Sequence, residues 1–496
     1  LNSANRDISK LFAYHEATAH TPERLRRAAH YLDWGNMPDP FRHYEGVPLL
    51  DLPTDAPPPR ARMLDVLRGA AGPPVAAGGA EFLSSLFFHS AAISATKHVP
   101  STGYRYALRV NPSSGNLHPT EFHFLARGLR GWPDGCYHYR PSSHMAEQRG
   151  RGDFITGLSG APLVVLLSSI AWREAWKYRS RAYRYVNHDI GHAWQAVHLA
   201  ARALGCETRA RGVFVDNEVG ALFSLASDEW PMLLIEIDGP GLPREDHAAA
   251  PREWFGGVPN RLSNEVLEHP AISEIHAAST LHAIESTAET IDPPPRTGEI
   301  QVPLPATTDA GFAAAVRRRR SALDFIGGSR TITAAQFAAL LDAAAQPFAK
   351  DWSGRFIDLW AFVHRVEGIV PGLYRCHLSS RTLSLRRPGD QRLIAAAVSL
   401  GQDLAGNSCV TFSMTADLRR AAARHGNRAY RYCHWEAGAI GQRLYLASEA
   451  LGFNSTGIGA FYDFQVRDVL GVNDTEGIVV YHFACGYAIP DPRLSP

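Results

Sequence analysis

Arg181-Ala-Tyr-Arg-Tyr185 recurs as Arg428-Ala-Tyr-Arg-Tyr432, and the agreement continues at one constant offset for about thirty residues. Gly191 meets Gly438, Gln195 meets Gln442, Leu199 meets Leu446, and Ala203-Leu-Gly205 meets Ala450-Leu-Gly452. Further on, Gly212 and Phe214 meet Gly459 and Phe461 without a gap. A match of this length points to two fused copies of one fold.

Working outward, each copy carries a group of strands flanked by long helices. In the first, Thr120 to Leu125 alternates as a strand, Cys136 to Tyr139 follows the Pro133-Asp-Gly135 turn, and Pro162 to Leu167 is apolar enough to be central. A helical pattern over Glu81 to Ala95 precedes them. The helix after Arg181 stops at Gly205, and Met232 to Ile237 closes the copy. In the second, helices at Phe312 to Arg320 and Ala334 to Ala345 lead into strands at Asp358 to His364, Gly372 to His377 and Cys409 to Met414. The helix Tyr432 to Leu451 and the strand Gly477 to Ala484 complete it. The expected class is α+β, two tandem domains each with an antiparallel-rich sheet flanked by helices. The expected division is an N-terminal wrapping segment at 1–72, domain 1 at 73–240, an interdomain crossing at 241–300 and domain 2 at 301–496. No Gly-x-Gly-x-x-Gly follows a strand, so a parallel dinucleotide-binding sheet is not supported.

With 496 residues, 45% hydrophobic and 20% charged, the chain has ample core material. Its formal net charge of +1 gives no global electrostatic case for nucleic acid or an anionic membrane. Six scattered cysteines form no CxxC pair and no zinc spacing, so no metal site is expected. The longest apolar run, Ala161 to Ile170, is too short to span a bilayer. With no apolar signal core at the start, a soluble cytoplasmic protein is expected.

Four stretches could carry chemistry. Arg317 to Arg320 followed by Ser321 reads either as a grip for one phosphomonoester or as a solvated charge run. Asn111-Pro-Ser-Ser-Gly-Asn-Leu-His-Pro119 reads as a polar loop fit to approach a flat heterocycle, or as a surface turn. Gly457-Ile-Gly-Ala-Phe461 either turns backbone amides toward a ligand, with Ile458 or Phe461 covering an aromatic ring, or is glycine-rich because packing there is tight. Lys177-Tyr178 can act as a general acid–base pair if partly desolvated, or stand exposed at a helix start. The repeated tyrosines fit packing at a domain interface better than catalysis.

Taken together, these stretches resemble the FMN-dependent nitroreductase superfamily, and within it the SagB-type dehydrogenases associated with azoline oxidation in modified peptides. The resemblance covers both repeats and rests on Arg319-Arg320-Ser321, residues 112–119, the stretch 177–192 and residues 457–461. It implies homodimer-like architecture with FMN at the interface, one half giving the Arg-Arg-Ser grip and the Gly-Ile-Gly-Ala-Phe wall, the other the Pro-Ser loop.

Here the first copy keeps the loop and Lys-Tyr, lacks Arg-Arg-Ser before Glu81, and has Ala210-Arg-Gly212 where the second has Gly457-Ile-Gly459. The second keeps grip and wall, and has Trp352-Ser-Gly-Arg355 in place of the loop. An intramolecular pseudo-dimer with one working FMN site is therefore expected. Carried over, Arg319, Arg320 and Ser321 hold the phosphate with Arg493 as a helper. Pro112, Ser113, Ser114 and Asn116 line the isoalloxazine edge, and Gly457, Ile458 and Gly459 support the opposite face. Lys177 and Tyr178 are the expected catalytic pair. Leu323 stands where superfamily members often place a second basic residue. The resemblance implies a dehydrogenase acting on a small-molecule or modified-peptide substrate. The alternatives are an NAD(P)H-dependent reductase of nitro, quinone or enone compounds, and a flavin-free scaffold in a peptide-modifying complex.

Overall fold

A computed structural model describes residues 3–27, 31–100, 103–246, 248–284, 294–473 and 477–495. Each repeat builds one antiparallel sheet, and the two sheets have the same strand order. In the first, Met145–Arg151, Gly135–Arg140, Thr120–Ala126, Leu163–Ser169, Trp230–Asp238 and Glu207–Arg211 lie side by side. In the second, the matching strands are Thr382–Pro388, Gly372–His377, Ile357–Val363, Val410–Ala416, Ile478–Gly486 and Asn454–Ile458. The central strands Leu163–Ser169 and Val410–Ala416 are buried along their whole length; the first opens as a continuous apolar run, and the second alternates apolar residues with Thr411, Ser413 and Thr415.

The two long helices, Ala182–Ala203 and Ala429–Ala450, pack against each other at the centre of the molecule. Their closest approach is Gly191 against Gly438. A Cβ built on Gly191 would lie 2.9 Å from the Gly438 Cα and 2.2 Å from the Trp435 carbonyl oxygen. One built on Gly438 would lie 3.1 Å from the Gly191 Cα and 2.2 Å from the His188 carbonyl oxygen. Each repeat thus leaves out its side chain where it meets its own counterpart.

The repeated Arg-Ala-Tyr-Arg-Tyr is accounted for by reciprocal contacts across this pseudo-twofold axis. Arg181 and Arg184 reach Asp463 of the second domain at 3.0 and 2.5 Å. Arg428 and Arg431 reach Asp216 of the first at 2.7 and 2.9 Å. Tyr185 donates to the Gly459 carbonyl at 3.2 Å, and Tyr432 to the Gly212 carbonyl at 3.0 Å. Tyr183 and Tyr430 stack on each other, centroids 6.3 Å apart. Burial opposes ionisation of both aspartates, yet the paired guanidinium groups hold each carboxyl below its ordinary range.

Several elements differ from the expected ones. The first helix is Gly79–Phe88, shorter than the Glu81 to Ala95 pattern, and the chain continues as a hairpin, Ile93–Val99 and Tyr104–Arg109. The β-branched residues Ile93, Thr96 and Val99, and the pairing with Tyr104–Arg109, win over the helical spacing before them. The C-terminal strand Leu494–Ser495 pairs with this hairpin, so the end of the second domain is stitched to the first. The N-terminal helix Ser9–Ala17 touches both domains: Tyr14 stands edge-on to Tyr183 and Tyr430. The segment between the domains adds Glu253–Trp254 to the first sheet and Ile300–Gln301 to the second. Residues 285–293 of that segment lie outside the described residues.

All six cysteines are free and buried. Among the described residues no group of His, Cys, Asp and Glu could hold a metal ion, and no helix is long and apolar enough to cross a membrane.

Candidate functional site

Between the two domains lies a cavity of about 730 Å³, within the usual range for small-molecule sites. Its walls include Pro112, Ser113, Ser114, Asn116, Lys177 and Tyr178 from the first domain. Arg319, Arg320, Ser321, Gly457, Ile458, Gly459 and Arg493 come from the second. The thirteen residues carried over to the cofactor and the catalytic pair therefore line one cavity, whereas Arg317, Arg318 and Phe461 do not.

The basic end is built at the exit of the helix Phe312–Arg318. Arg319 is buried, donates to the Val110 and Arg109 carbonyls at 3.2 and 3.3 Å, and lies over the Tyr445 ring at 4.9 Å. Its Nη1 has no hydrogen-bond partner. Arg320 donates to the Arg317, Arg319 and Ser94 carbonyls. Burial, then the neighbouring Arg319 and Arg317, lower its guanidinium to about 10, so an added anion would be favoured there. Ser321 pairs with Ser455 of the strand Asn454–Ile458, and its hydroxyl meets that of Tyr445 at 2.8 Å. Tyr445 in turn accepts from the Gly457 amide at 3.0 Å, which locks grip and wall together.

Two basic residues complete this end. Lys97, on the hairpin, sits 2.8 Å from Asp491, which also pairs with Arg493 at 2.8 Å. Arg493 and then Lys97 bonding hold the Asp491 carboxyl below its ordinary range, against burial. Leu323 does line the cavity, and Lys97 and Arg493 supply cations from elsewhere. Lys97 escaped the sequence reading because the hairpin that carries it did.

Glycines in the wall serve packing. A Cβ on Gly457 would fall 2.0 Å from the Tyr481 hydroxyl, and one on Gly459 2.4 Å from the Tyr185 ring. Phe461 packs into a core cluster with Phe325 and does not line the cavity, whereas Ile458 belongs to that cluster and lines the cavity as well.

The Pro-Ser loop is cross-linked within itself. His118 donates its amide to Ser113 Oγ at 2.8 Å, and Asn116 donates to the Ala107 carbonyl at 3.1 Å. Ser114 gives both its amide and its hydroxyl to Asp189 of the first long helix, at 3.1 and 3.0 Å. Asp189 is fully buried, which raises its carboxyl to about 7 despite the Ser113 and Ser114 hydrogen bonds. Lys177 and Tyr178, at the end of the helix Ala171–Tyr178, stand over this loop. A Cβ on Gly115 would lie 2.6 Å from the Tyr178 hydroxyl and 3.3 Å from Lys177 Nζ. Burial first, then Glu174, Tyr185 and Asp189, push the Tyr178 phenol far up, so it stays protonated. The mouth is faced by Trp34, Met37 and Trp176; Trp176 donates to the Asp33 carbonyl at 2.9 Å.

At the pseudosymmetric position the corresponding space is filled. Trp352 stacks on Tyr432 at 4.7 Å, and Gly212 has its Cβ position 2.9 Å from that indole. Asp351 accepts from the Gly212 amide at 2.8 Å, and its own amide donates to the Ala210 carbonyl at 3.0 Å. Lys350 pairs with Glu436. The remaining void by Val213, Arg424, His425 and Tyr432 is about 30 Å³.

Two like domains with a cavity composed from both define an α+β protein in which the pairing is made inside one chain. The sequence profile of the nitroreductase family matches residues 55–239 and 316–487, and the chain belongs to that family. A Methanocaldococcus jannaschii protein that carries a nitroreductase name is 31% identical over 136 residues, 25% of this chain and 68% of that one. A crystal structure of a nitroreductase-named protein from Anabaena variabilis superposes with a TM-score of 0.78 over 97% of this chain and 99% of that one. At 24% identity the second likeness is one of fold.

Proposed function

We propose that this protein binds one FMN in the composite cavity and is a dehydrogenase of the SagB type, oxidising a substrate such as a peptide azoline. The observation that carries the reading is complementarity: grip, loop, wall and Lys-Tyr surround one cavity, while the equivalent space is closed by Trp352.

The residues present fit the cofactor. Among the charged residues lining the cavity, Lys97, Arg109, Lys177, Arg319, Arg320 and Arg493 outnumber Asp189 and Asp491, which suits a phosphomonoester dianion. The unpartnered Nη1 of buried Arg319 is a donor in want of an acceptor. Arg319, Arg320 and Ser321 would hold the phosphate, with Lys97 and Arg493 beside them, and the Pro-Ser loop and Gly457–Gly459 would enclose the ring. FMN, when bound, supplies a two-electron acceptor for hydride. Lys177 takes the proton from the substrate carbon, and Tyr178, kept as a phenol, donates a hydrogen bond to the substrate beside it. The loop, pinned by Asp189, fixes the distance between them and the ring.

The experiment is anaerobic mixing of the flavin-loaded protein with an azoline-containing peptide on one hand and NADPH on the other. Bleaching by the peptide, with a product lighter by two hydrogens, is expected. Bleaching by NADPH and not by the peptide would replace the reading with the reductase; a protein that takes up no FMN would leave the scaffold.

A further inference from the structure

Beneath Lys177 lies a carboxyl group that the chemistry above does not use. Glu174 is one helical turn before Lys177 on the same helix, is 0% exposed, and has its carboxyl against that of Asp189 and the Ser113 hydroxyl, with no backbone amide donating to it. A buried carboxylate that faces a second carboxyl with a single hydroxyl to support it is costly to keep ionised, and the ordinary outcome is that it takes a proton. Burial and then the charge of Asp189 push the Glu174 carboxyl well above its usual range. Asp189 differs from it in one respect: the Ser114 amide and hydroxyl both donate to it, so of the two it is the one equipped to carry charge.

We infer that Glu174 and Asp189 hold one proton between them under the Pro-Ser loop. They act as a positioning unit that pins the loop and sets a single negative charge beside Lys177. The assignment rests on the reading of Lys177 as the base. Two carboxyls that close cannot both ionise in a dry site, so their titration belongs to the pair. The groups facing it are Lys177 and Tyr178 on the Glu174 helix, Tyr185 and His192 on the Asp189 helix, Ser113 and Ser114 on the loop, and Tyr481 from the second domain. Tyr178 and Tyr481 are held as phenols and His192 is lowered to about 3 by burial, so Lys177 is the cation opposite the pair.

The test has two arms. Infrared difference spectra of wild type and Glu174→Gln at neutral pH, taken on the full chain with or without flavin, should show the C=O band of a protonated carboxylic acid only in wild type. A band of equal strength in the variant overturns the inference whether or not FMN binds, which separates its failure from that of the function above. In the second arm, Asp189→Asn keeps an acceptor for Ser114 and removes the charge. The acid limb of kcat/KM should move down by about one pH unit or more, because the ammonium opposite loses its counter-ion. An unchanged limb overturns the inference. If Asp189→Asn does not fold, Glu174→Ala and Glu174→Gln decide: Gln, a neutral donor of the same shape, should rescue most of the turnover that Ala loses, and a Gln variant as poor as Ala overturns it.

Discussion

Lys177 and Tyr178 are neighbours in sequence, and the structure gives them different chemistry. Tyr178 packs edge-on to Tyr185 at 4.6 Å and is kept protonated, so in the proposed reaction the base is assigned to Lys177. Lys177→Ala should lower turnover of the proposed azoline substrate by roughly 100- to 10,000-fold while flavin content stays as in wild type. Unchanged turnover with full flavin would remove the lysine from the chemistry. At this scale the sequence was legible where residues come in short runs. Arg319-Arg320-Ser321, residues 112–116 and 457–459 all reach the cavity as read. Asp189 was legible only as part of the stretch 177–192, without a role, and Glu174 not at all, since an acidic residue inside a helical pattern looks the same whether it faces solvent or an apolar interior. Tyr445 and Tyr481 escaped for a related reason: their partners Ser321 and His192 lie far away in the chain.

The elements that carry these residues are held by the reciprocal arginine–aspartate clusters. Each is fully buried, and removing the anion leaves two guanidinium groups uncompensated. Asp463→Ala should therefore cost about 3–5 kcal/mol of stability, seen as a fall in the urea midpoint. It should also weaken FMN retention, because Asp463 begins the helix Asp463–Leu470 just beyond the Gly457–Gly459 wall. Asp216→Ala should cost a similar amount and spare FMN retention, since its surroundings are the filled half. Equal loss of FMN in both variants would contradict the asymmetry. The repeat was readable from sequence because both copies need the same arginines and glycines at the interface. The hairpin Ile93–Val99 with Tyr104–Arg109 was not, because its third strand arrives from the C-terminus.

Across the whole molecule, burial lowers many histidines: His192, His198, His434 and His482 to about 3, and His89 to about 4. The unfolded chain would protonate them near pH 6.5, so their contribution to stability is complete above that value and declines as pH falls toward 4. Asp463 and Asp216 add stability that is present above about pH 4 and is lost only on further acidification. His138 works in the opposite sense. Despite burial, Glu121 and Glu147 raise it to about 9, so its contribution is full below pH 6.5 and is lost as pH rises through 9. Thermal unfolding followed from pH 8 to pH 4 should show Tm falling steadily below about 6.5; a flat Tm over that range would mean that these histidines are solvated.

One fused pair of domains, one open composite cavity and one filled counterpart make a claim about number. Purified protein, saturated with FMN and freed of excess, should release one FMN per chain on denaturation, and Trp352→Ala should not raise that figure. Two FMN per chain would contradict the account directly, and so would none.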